Sequence, residues 1–184
     1  MNRAAAVCGR ICSGKSTLTR DLASSYGWSI VSFGSYIRQV AEHDSLPPTR
    51  EHLQSIGESL LTHLGPDGLL SRVLEAQRPS GTVHLIDGVR HVSVLRSVEK
   101  TYSTLVIFLD PPGDTRFKRF LAREGLGDGA ASHLLFEEIN NHAIENGVEG
   151  LKPHADLVLE GELSRREALE IVVRLLRRHH YLPE

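Results

Sequence analysis

The fold is decided by the stretch Gly9-Arg10-Ile11-Cys12-Ser13-Gly14-Lys15-Ser16, which follows a short apolar run and precedes leucines at helical spacing. Its glycines let the backbone turn so that successive N–H groups point inward, and the following helix adds its positive N-terminal end. Lys15 would neutralise the β and γ phosphates of a nucleotide, and Ser16 would offer its hydroxyl to Mg²⁺. This phosphate loop, residues 9–16, therefore predicts triphosphate binding. A glycine-rich turn beside an exposed lysine is the structural alternative.

Composition narrows the function classes. The 184-residue chain has a formal net charge of -2 and is 40% hydrophobic, near the globular average. This charge gives no reason to expect nucleic-acid binding, and no apolar stretch approaches the roughly 20 residues of a membrane span. We expect one domain over residues 1–184, as a monomer or homodimer without a membrane partner.

The two cysteines, Cys8 and Cys12, both lie in the first strand-to-loop segment. This placement suits a reducing compartment better than a disulfide framework, so we expect a cytoplasmic location. Both are expected to be structural; a redox role for Cys12 is the alternative, since a helix N-terminus lowers the pKa of a thiol.

Strand-like runs alternate with helical periodicity along the chain. Alternation of this kind implies right-handed crossovers and a parallel sheet covered on both faces. We therefore predict an α/β, doubly wound, three-layer fold with a five-stranded parallel sheet. The expected strands are 4–8, 29–33, 82–86, 105–109 and 156–159, and the expected helices are 16–25, a stretch after 34, 49–64, 67–77, 115–123, 133–145 and one capped by Ser164.

Two segments that follow strands are similar to one known family. Ser32-Phe33-Gly34-Ser35-Tyr36-Ile37-Arg38 resembles a Thr-Gly-Asp-x-x-Arg motif, and Asp87-Gly88-Val89-Arg90 resembles Asp-Gly-x-Pro-Arg without its proline. Both motifs belong to the nucleoside monophosphate kinase branch of P-loop proteins. The resemblance therefore implies a fold of the P-loop NTPase, nucleotide kinase type. The resemblance implies that Arg38 and Arg90 hold the phosphate of an acceptor and that Gly34 also contacts the acceptor. It also implies that Asp87 orients Mg²⁺ through water.

A third segment resembles the entry into the mobile lid of these kinases. It runs from Asp110-Pro111-Pro112 into a helix with Arg116, Arg119 and Arg123. The resemblance implies that Arg119 and Arg123 act in catalysis together with Lys15 and Asp87. Asp110 is a second candidate for the metal site, and the alternative is a turn residue that ends the strand. The alternative is that Arg116, Lys118, Arg119 and Arg123 form one solvated helix face.

Two further stretches bear on the acceptor. Thr49-Arg50-Glu51-His52-Leu53-Gln54-Ser55-Ile56-Gly57 is similar to a stretch of phage-type deoxynucleoside monophosphate kinases, which implies acceptor contacts by Arg50 and Gln54. By contrast, Arg123-Glu124-Gly125-Leu126 and Ala155-Asp156-Leu157-Val158-Leu159-Glu160-Gly161 resemble dephospho-coenzyme A kinase. These resemblances place a helical acceptor-binding insertion at about 34–78 and a short lid at about 119–135.

The chain departs from the family in its lid. Between Glu124 and Arg165 there is no arginine, where related kinases place two that clamp the transferring phosphoryl group. Lys152, His133 and His142 are the cationic candidates in this region.

The sequence thus predicts an ATP-dependent phosphotransferase that phosphorylates a nucleoside monophosphate or related nucleotide, with ATP and Mg²⁺ as cofactors and Ser16 and Asp87 as the metal site. The alternatives are transfer to a hydroxyl, as in dephospho-coenzyme A kinase, and a non-catalytic nucleotide-binding regulator or an ATPase. The expected nucleotide contacts are Gly9, Ile11, Cys12, Ser13, Gly14, Lys15, Ser16 and Thr17. The expected acceptor contacts are Gly34, Arg38, Arg50, Gln54, Asp87 and Arg90.

Overall fold

Five parallel strands form the centre of the protein, in the order β2-β3-β1-β4-β5. The computed structural model describes residues 2–141 and 143–182, apart from the side chains of residues 143, 144 and 146. The middle strand is buried from Ala4 to Gly9, and its small residues let helices pack closely on both faces. The fold class predicted from the sequence is confirmed. The strands are β1 (Arg3–Gly9), β2 (Ser29–Ser32), β3 (Val83–Asp87), β4 (Ser103–Asp110) and β5 (Leu157–Glu160).

Helices follow the strands, and most lie where periodicity predicts them. The segment after β3 holds an additional helix, and the single helix expected over 133–145 is two shorter helices instead. The helices are α1 (Lys15–Tyr26), α2 (Phe33–His43), α3 (Arg50–Gln77), α4 (Val92–Thr101), α5 (Gly113–Glu124), α6 (Ala130–Asn140), α7 (Ala143–Glu149) and α8 (Arg165–Arg178), with a 3₁₀ turn at Lys152–His154.

Two hydrophobic clusters cover the two faces of the sheet and complete three layers. One cluster packs α3 and α4 against the strands through residues such as Val73, Leu95 and Phe108. The other packs α1 and α8 on the opposite face through residues such as Leu22 and Leu176. Burial of this apolar surface on both sides of the sheet is the main stabilising contribution to the fold.

Local capping explains where two helices begin. The Thr49 hydroxyl accepts a hydrogen bond from the His52 amide at 3.3 Å at the start of α3, and Ser164 forms a capping box at the start of α8. α3 is interrupted at Gly65, whose φ of 66° is not helical, so its two halves correspond to the two helices predicted there. α2 and α3 cover the range predicted for the acceptor-side insertion, whose role remains a prediction.

The register brings the polar strand ends to one edge of the sheet. Asp87 pairs with Val7 of β1 and with Ser32 of β2, and Gly9 lies opposite Leu109. In open parallel sheets this carboxyl edge is where ligands bind. Among the described residues, no helix is both long and apolar enough to cross a membrane.

Candidate active site

The phosphate loop has the curled backbone that its glycines predict. Gly9 has a φ of 146°, and a Cβ there would lie 2.6 Å from the Leu109 carbonyl oxygen. Gly14, with a φ of 98°, is the N-cap of α1. Side chains other than hydrogen are therefore excluded at Gly9 by contact and strained at Gly14 by conformation.

A cavity of about 700 Å³, the main cavity, lies between the phosphate loop and the helices α2 and α3. Its size falls in the range of small-molecule sites. Most of the residues predicted for nucleotide, metal and acceptor line it, although they come from separate elements. They are Ile11, Cys12, Lys15, Ser16, Gly34, Arg38, Arg50, Gln54, Asp87, Arg90 and Arg123.

A second cavity of about 330 Å³, the side cavity, lies on the other side of the phosphate loop. Apolar side chains, including Leu18, Leu109 and Leu163, line much of it, with Arg119 at its border. The remaining predicted nucleotide contacts, Ser13, Gly14 and Thr17, face this cavity, while Gly9 lies behind the loop against β4. The loop therefore separates a large cavity with a mixed polar and apolar lining from a smaller, mainly apolar one.

Lys15 extends into the main cavity and donates a hydrogen bond from Nζ to the Arg10 carbonyl oxygen at 3.3 Å. Burial lowers the pKa of Lys15, and the nearby charge of Arg90 lowers it further. Glu145 and Asp87 oppose this shift. An ammonium short of solvent and held among other charges is well suited to bind the oxygens of a phosphate.

Asp87 has a carboxylate oxygen with an unmet hydrogen-bonding capacity. Its Oδ1 is buried and has no hydrogen-bond partner among the described residues. Burial raises the pKa of Asp87, although Lys15, the Gly88 amide, Arg90 and Arg38 favour the charged form. An unpartnered buried oxygen at the edge of a polar cavity indicates that a ligand or water completes its environment.

Arg38 and Arg90 line the same wall of the main cavity but differ in their partners. Arg38 is exposed and has no ion pair among the described residues, so the pairing with Glu42 that its helical spacing allows is not formed. Arg90 donates from Nη1 to Glu145 Oε1 at 3.2 Å. Arg38 is thus free to bind an external anion, whereas Arg90 already contacts an internal one.

Glu145 is the site residue that the sequence analysis missed. Its side chain is 3% exposed, and its Oε2 accepts a hydrogen bond from the Ile11 amide at 2.8 Å. Its Oε1 lies 3.2 Å from Arg90 and 3.6 Å from Arg50. No motif marks it. The available signal was a carboxylate within a helix near the lid, which is too common to be informative.

His91 is a second residue that the sequence analysis did not single out. It lines the main cavity directly after Arg90. Burial lowers the pKa of His91, and Arg90 lowers it further while Glu58 opposes the shift. Near neutral pH this imidazole is therefore uncharged and is a neutral hydrogen-bonding group on the cavity wall.

The three arginines of α5 point in different directions, so they do not form one solvated face. Arg116 is buried and donates to Asn140 Oδ1 at 2.6 Å. Arg119 donates from Nη1 to the Ser13 carbonyl oxygen at 2.9 Å. Arg123 is half-exposed, pairs with Glu124 and lines the main cavity. Only Lys118 is simply solvent-exposed.

Lys152 and His133, two of the cationic residues considered for the lid, do not line the main cavity. Lys152 donates to Asp110 Oδ2 at 2.6 Å and to Glu160 Oε1 at 3.1 Å, which occupies both the lysine and Asp110. His133 stacks on Phe117 at 4.0 Å between ring centroids and contacts Asp128. His142 lies outside the described residues. Lys152, His133 and Asp110 thus have partners within the described structure, and their roles as phosphoryl clamps and as a metal ligand stay predictions.

The groups expected to hold Mg²⁺ fit such an ion. Ser16 and Asp87 line one cavity, and the hydroxyl and carboxylate oxygens are the hard ligands that Mg²⁺ prefers. In the part of the chain that the structure describes, no three His, Cys, Asp or Glu side chains cluster as a metal site. This sparse set matches an ion that is bound mainly by phosphates and water.

Comparison with known proteins agrees with this geometry. The family model AAA_17, described as an AAA domain, matches residues 9–139, more than half of the chain. The chain belongs to this family. The match begins at the phosphate loop and extends into α6, so it includes all the residues that line the main cavity except Glu145.

Individual relatives and solved structures share less than 30% of their residues with this chain in the following three comparisons. A UPF0200 protein of Hyperthermus butylicus is 28% identical over 176 residues, covering 94% of this chain and 92% of the relative. The shikimate kinase of Bacteroides thetaiotaomicron is 19% identical with a TM-score of 0.58, over 98% of this chain and 99% of that one. TT1252 of Thermus thermophilus is 19% identical with a TM-score of 0.66, over 97% of each chain. The protein therefore has a P-loop kinase-like fold.

Proposed function

We propose that the protein is an ATP-dependent phosphotransferase whose acceptor is a nucleoside monophosphate or a related nucleotide. One observation carries the proposal: a single cavity joins Lys15 and Asp87, beside the phosphate loop, to the arginines Arg38 and Arg90. A kinase needs positive groups for both the donor and the acceptor phosphates, because positioning and charge neutralisation supply most of the rate acceleration.

The donor occupies the phosphate loop and the side cavity. The triphosphate contacts the loop amides and Lys15, and its base enters the apolar side cavity between Leu109 and Leu163, where Arg119 borders it. Ser16 and Asp87 are the residues that would hold Mg²⁺, and the ion would supply positive charge that neutralises the phosphate oxygens. The size and apolar lining of the side cavity support this placement of the base.

The acceptor occupies the far side of the main cavity. Arg38 and Arg90 bind its phosphate, since the planar guanidinium fork matches phosphate oxygens. Arg50 and Gln54, one turn apart on α3, contact the nucleoside, and the Nε2 of Gln54 is a buried donor without a partner among the described residues. A buried donor of this kind favours an acceptor molecule with a carbonyl or ring nitrogen at that position.

The reaction transfers the γ-phosphoryl group in line. An oxygen of the acceptor phosphate forms a bond to the γ phosphorus while the bond to the β–γ bridging oxygen breaks and ADP leaves. Lys15 and Arg123 neutralise the charge that spreads over the transferring oxygens. Arg123 lines the same cavity as Lys15 and its side chain is 51% exposed, which supports this role.

The test is acceptor-dependent release of ADP. The purified protein is incubated with Mg-ATP and a panel of ribonucleoside and deoxyribonucleoside monophosphates, and ADP and the diphosphate product are quantified. We expect turnover with at least one member of the panel. Absence of turnover with every member would contradict the proposal.

A second candidate function is transfer to a hydroxyl, and the unpartnered Oδ1 of Asp87 favours it. Burial raises the pKa of this carboxyl, which makes it a better general base for a hydroxyl proton. The panel therefore includes dephospho-coenzyme A and shikimate, and product mass and phosphorus NMR separate a new phosphomonoester from a diphosphate. Tight ATP binding without turnover would indicate a binding module, and acceptor-independent hydrolysis would indicate an ATPase.

We also propose that the protein is located in a reducing compartment. Cys8 and Cys12 are both free, which supports a location in the cytoplasm.

A further inference from the structure

Glu145 is a buried carboxylate in the cavity that also contains Lys15, Arg50 and Arg90. It reaches the phosphate loop from α7, across 134 residues of sequence, and is almost fully buried. A buried carboxylate is tolerated only when donors or cations compensate it. The partners of Glu145 are therefore the key to its role.

Three groups compensate this carboxylate, and all belong to the proposed active site. The Ile11 amide of the phosphate loop donates to Oε2 at 2.8 Å, and Arg90 donates to Oε1 at 3.2 Å. Arg50 lies 3.6 Å from the same Oε1. One side chain thus bridges the donor loop and two residues of the acceptor side.

Arg50 and Arg90 each contact Glu145 and still have N–H groups available for a ligand. Arg90 is 42% exposed and Arg50 is 35% exposed, and both line the main cavity. A guanidinium has five N–H donors, so a contact through one Nη leaves others for a second anion. Glu145 therefore fixes the direction of each arginine while the rest of its fork faces the cavity.

The helix that carries Glu145 is itself anchored beside the phosphate loop. Arg10 donates to the Asn140 carbonyl and Arg116 donates to the side chain of Asn140, and these bonds fix the end of α6 that leads into α7. The backbone at Gly147 also packs closely on the Arg90 carbonyl, since a Cβ there would lie 3.2 Å from it. The Asn140 contacts therefore hold the end of α6, and the contact at Gly147 holds α7 itself close to Arg90.

We propose that Glu145 is a positioning residue, an internal anion that orients Arg50 and Arg90 toward the acceptor and ties them to the phosphate loop through the Ile11 amide. This inference rests on the proposed function for its kinetic consequence. Its structural content, a carboxylate that holds three donors together, is independent of the identity of the acceptor.

The kinetic test uses Glu145→Gln, which keeps the shape of the side chain but removes its charge. With the nucleoside monophosphate that the wild type uses, we expect kcat to fall about 10- to 100-fold, because misplaced arginines no longer match the transition state. The Kd for ATP should stay within about threefold, since the loop loses no donor. Glu145→Asp should restore part of the rate, because it restores the charge at a slightly different position.

Glu149→Gln is the matched control. Glu149 lies on the same short helix and also pairs with an arginine, but it is 40% exposed and does not line the main cavity. We expect this variant to keep the wild-type kcat and the wild-type Kd for ATP. A uniform loss in all three variants, in parallel with their melting temperatures, would show a purely structural role for α7 and would overturn the proposal.

A second test needs no turnover. Glu145→Ala leaves Ile11, Arg50 and Arg90 without their anion, and acetate replaces the missing group. We expect sodium acetate to raise the Tm of this variant more than sodium chloride at equal ionic strength, and to have no such excess effect on the wild type. Equal effects on both proteins, or a Glu145→Gln variant with kcat within twofold of the wild type, would overturn the proposal. Failure of every acceptor with intact acetate rescue would instead count against the proposed function alone.

Discussion

Arg119 donates a hydrogen bond from Nη1 to the carbonyl oxygen of Ser13 at 2.9 Å, so a side chain of α5 holds the outer side of the phosphate loop. The same nitrogen lies 3.4 Å from the Cys12 carbonyl oxygen. The arginine thereby stands where the loop meets the side cavity, and it can support the loop and border a bound base at once.

We expect Arg119→Ala to raise the Kd for ATP about 10- to 100-fold, because a charge-assisted hydrogen bond of about 1.5–3 kcal/mol to the loop is lost. Arg119→Lys should recover little, since an ammonium lacks the planar fork. Titration with ATP measures both. Lys118→Ala, one residue away on the solvent side, should bind ATP like the wild type, and equal losses at the two positions would contradict this role.

Arg38 and Arg90 should separate binding from stability. We expect Arg38→Ala to raise the acceptor KM about 10- to 100-fold and to leave Tm unchanged, because Arg38 has no ion pair among the described residues. Arg90→Ala should also lower stability by roughly 1–2 kcal/mol, or about 2–8 °C in Tm, since Glu145 loses a partner. Thermal unfolding and acceptor kinetics provide the two readouts. An equal change in Tm for both variants would disprove the distinction.

We expect the charge of Asp87 to lower the stability of the fold while it supports activity. Its pKa is raised above the ordinary value of 3.8, mainly by burial, so the folded state disfavours the charged form. Above its folded-state pKa this charge costs stability, and we expect Asp87→Asn to raise Tm at pH 7–8. The gain should shrink as the pH falls through that pKa, because the wild-type carboxyl then becomes neutral as well.

The same substitution should lower kcat at least about 100-fold if Asp87 holds Mg²⁺ or acts as a base. The wild type should also lose kcat/KM on the acid side, where Asp87 is protonated, and this acid limb should be absent from any residual activity of the variant. A variant that is both less stable and fully active would contradict the assignment.

Gly9→Ala should destabilise the fold by at least about 2 kcal/mol, because its methyl group would lie 2.6 Å from the backbone of β4 and the residue has a positive φ. Chemical denaturation measures this loss. Gly113→Ala is the control, since a Cβ at Gly113 meets nothing within 4 Å and should change stability by no more than about 0.5 kcal/mol. Similar effects at both positions would argue against close packing at Gly9.

The sheet could be predicted from the sequence because its signals are local. Apolar runs mark the strands, and the glycines of residues 9–16 mark the loop through backbone geometry alone. α4 was missed although Val94, Leu95 and Val98 have helical spacing, because the segment is short and starts without a side-chain cap. The single helix expected over 133–145 is instead two helices, because α6 ends at Asn140 and α7 begins at Ala143.

The candidate site was harder to predict because its charges are paired over long distances. Asp110 resembles a metal ligand in its own segment, yet Lys152, 42 residues later, holds it. Glu145 contacts Ile11 from 134 residues away, and no local pattern encodes that contact. Arg116 and Arg119 are three residues apart on one helix, but only the packing of α6 decides that the first is buried.

The contact of Lys152 with Asp110 and Glu160 also limits which groups would hold a metal ion under the proposed function. A carboxylate 2.6 Å from an ammonium is a poor partner for a divalent cation, so Ser16 and Asp87 are the described residues that would hold Mg²⁺. Two such groups are a small share of the octahedral set of ligands that Mg²⁺ takes, and the remaining ligands would come from the triphosphate and water. Tight binding of the ion would then depend on the nucleotide.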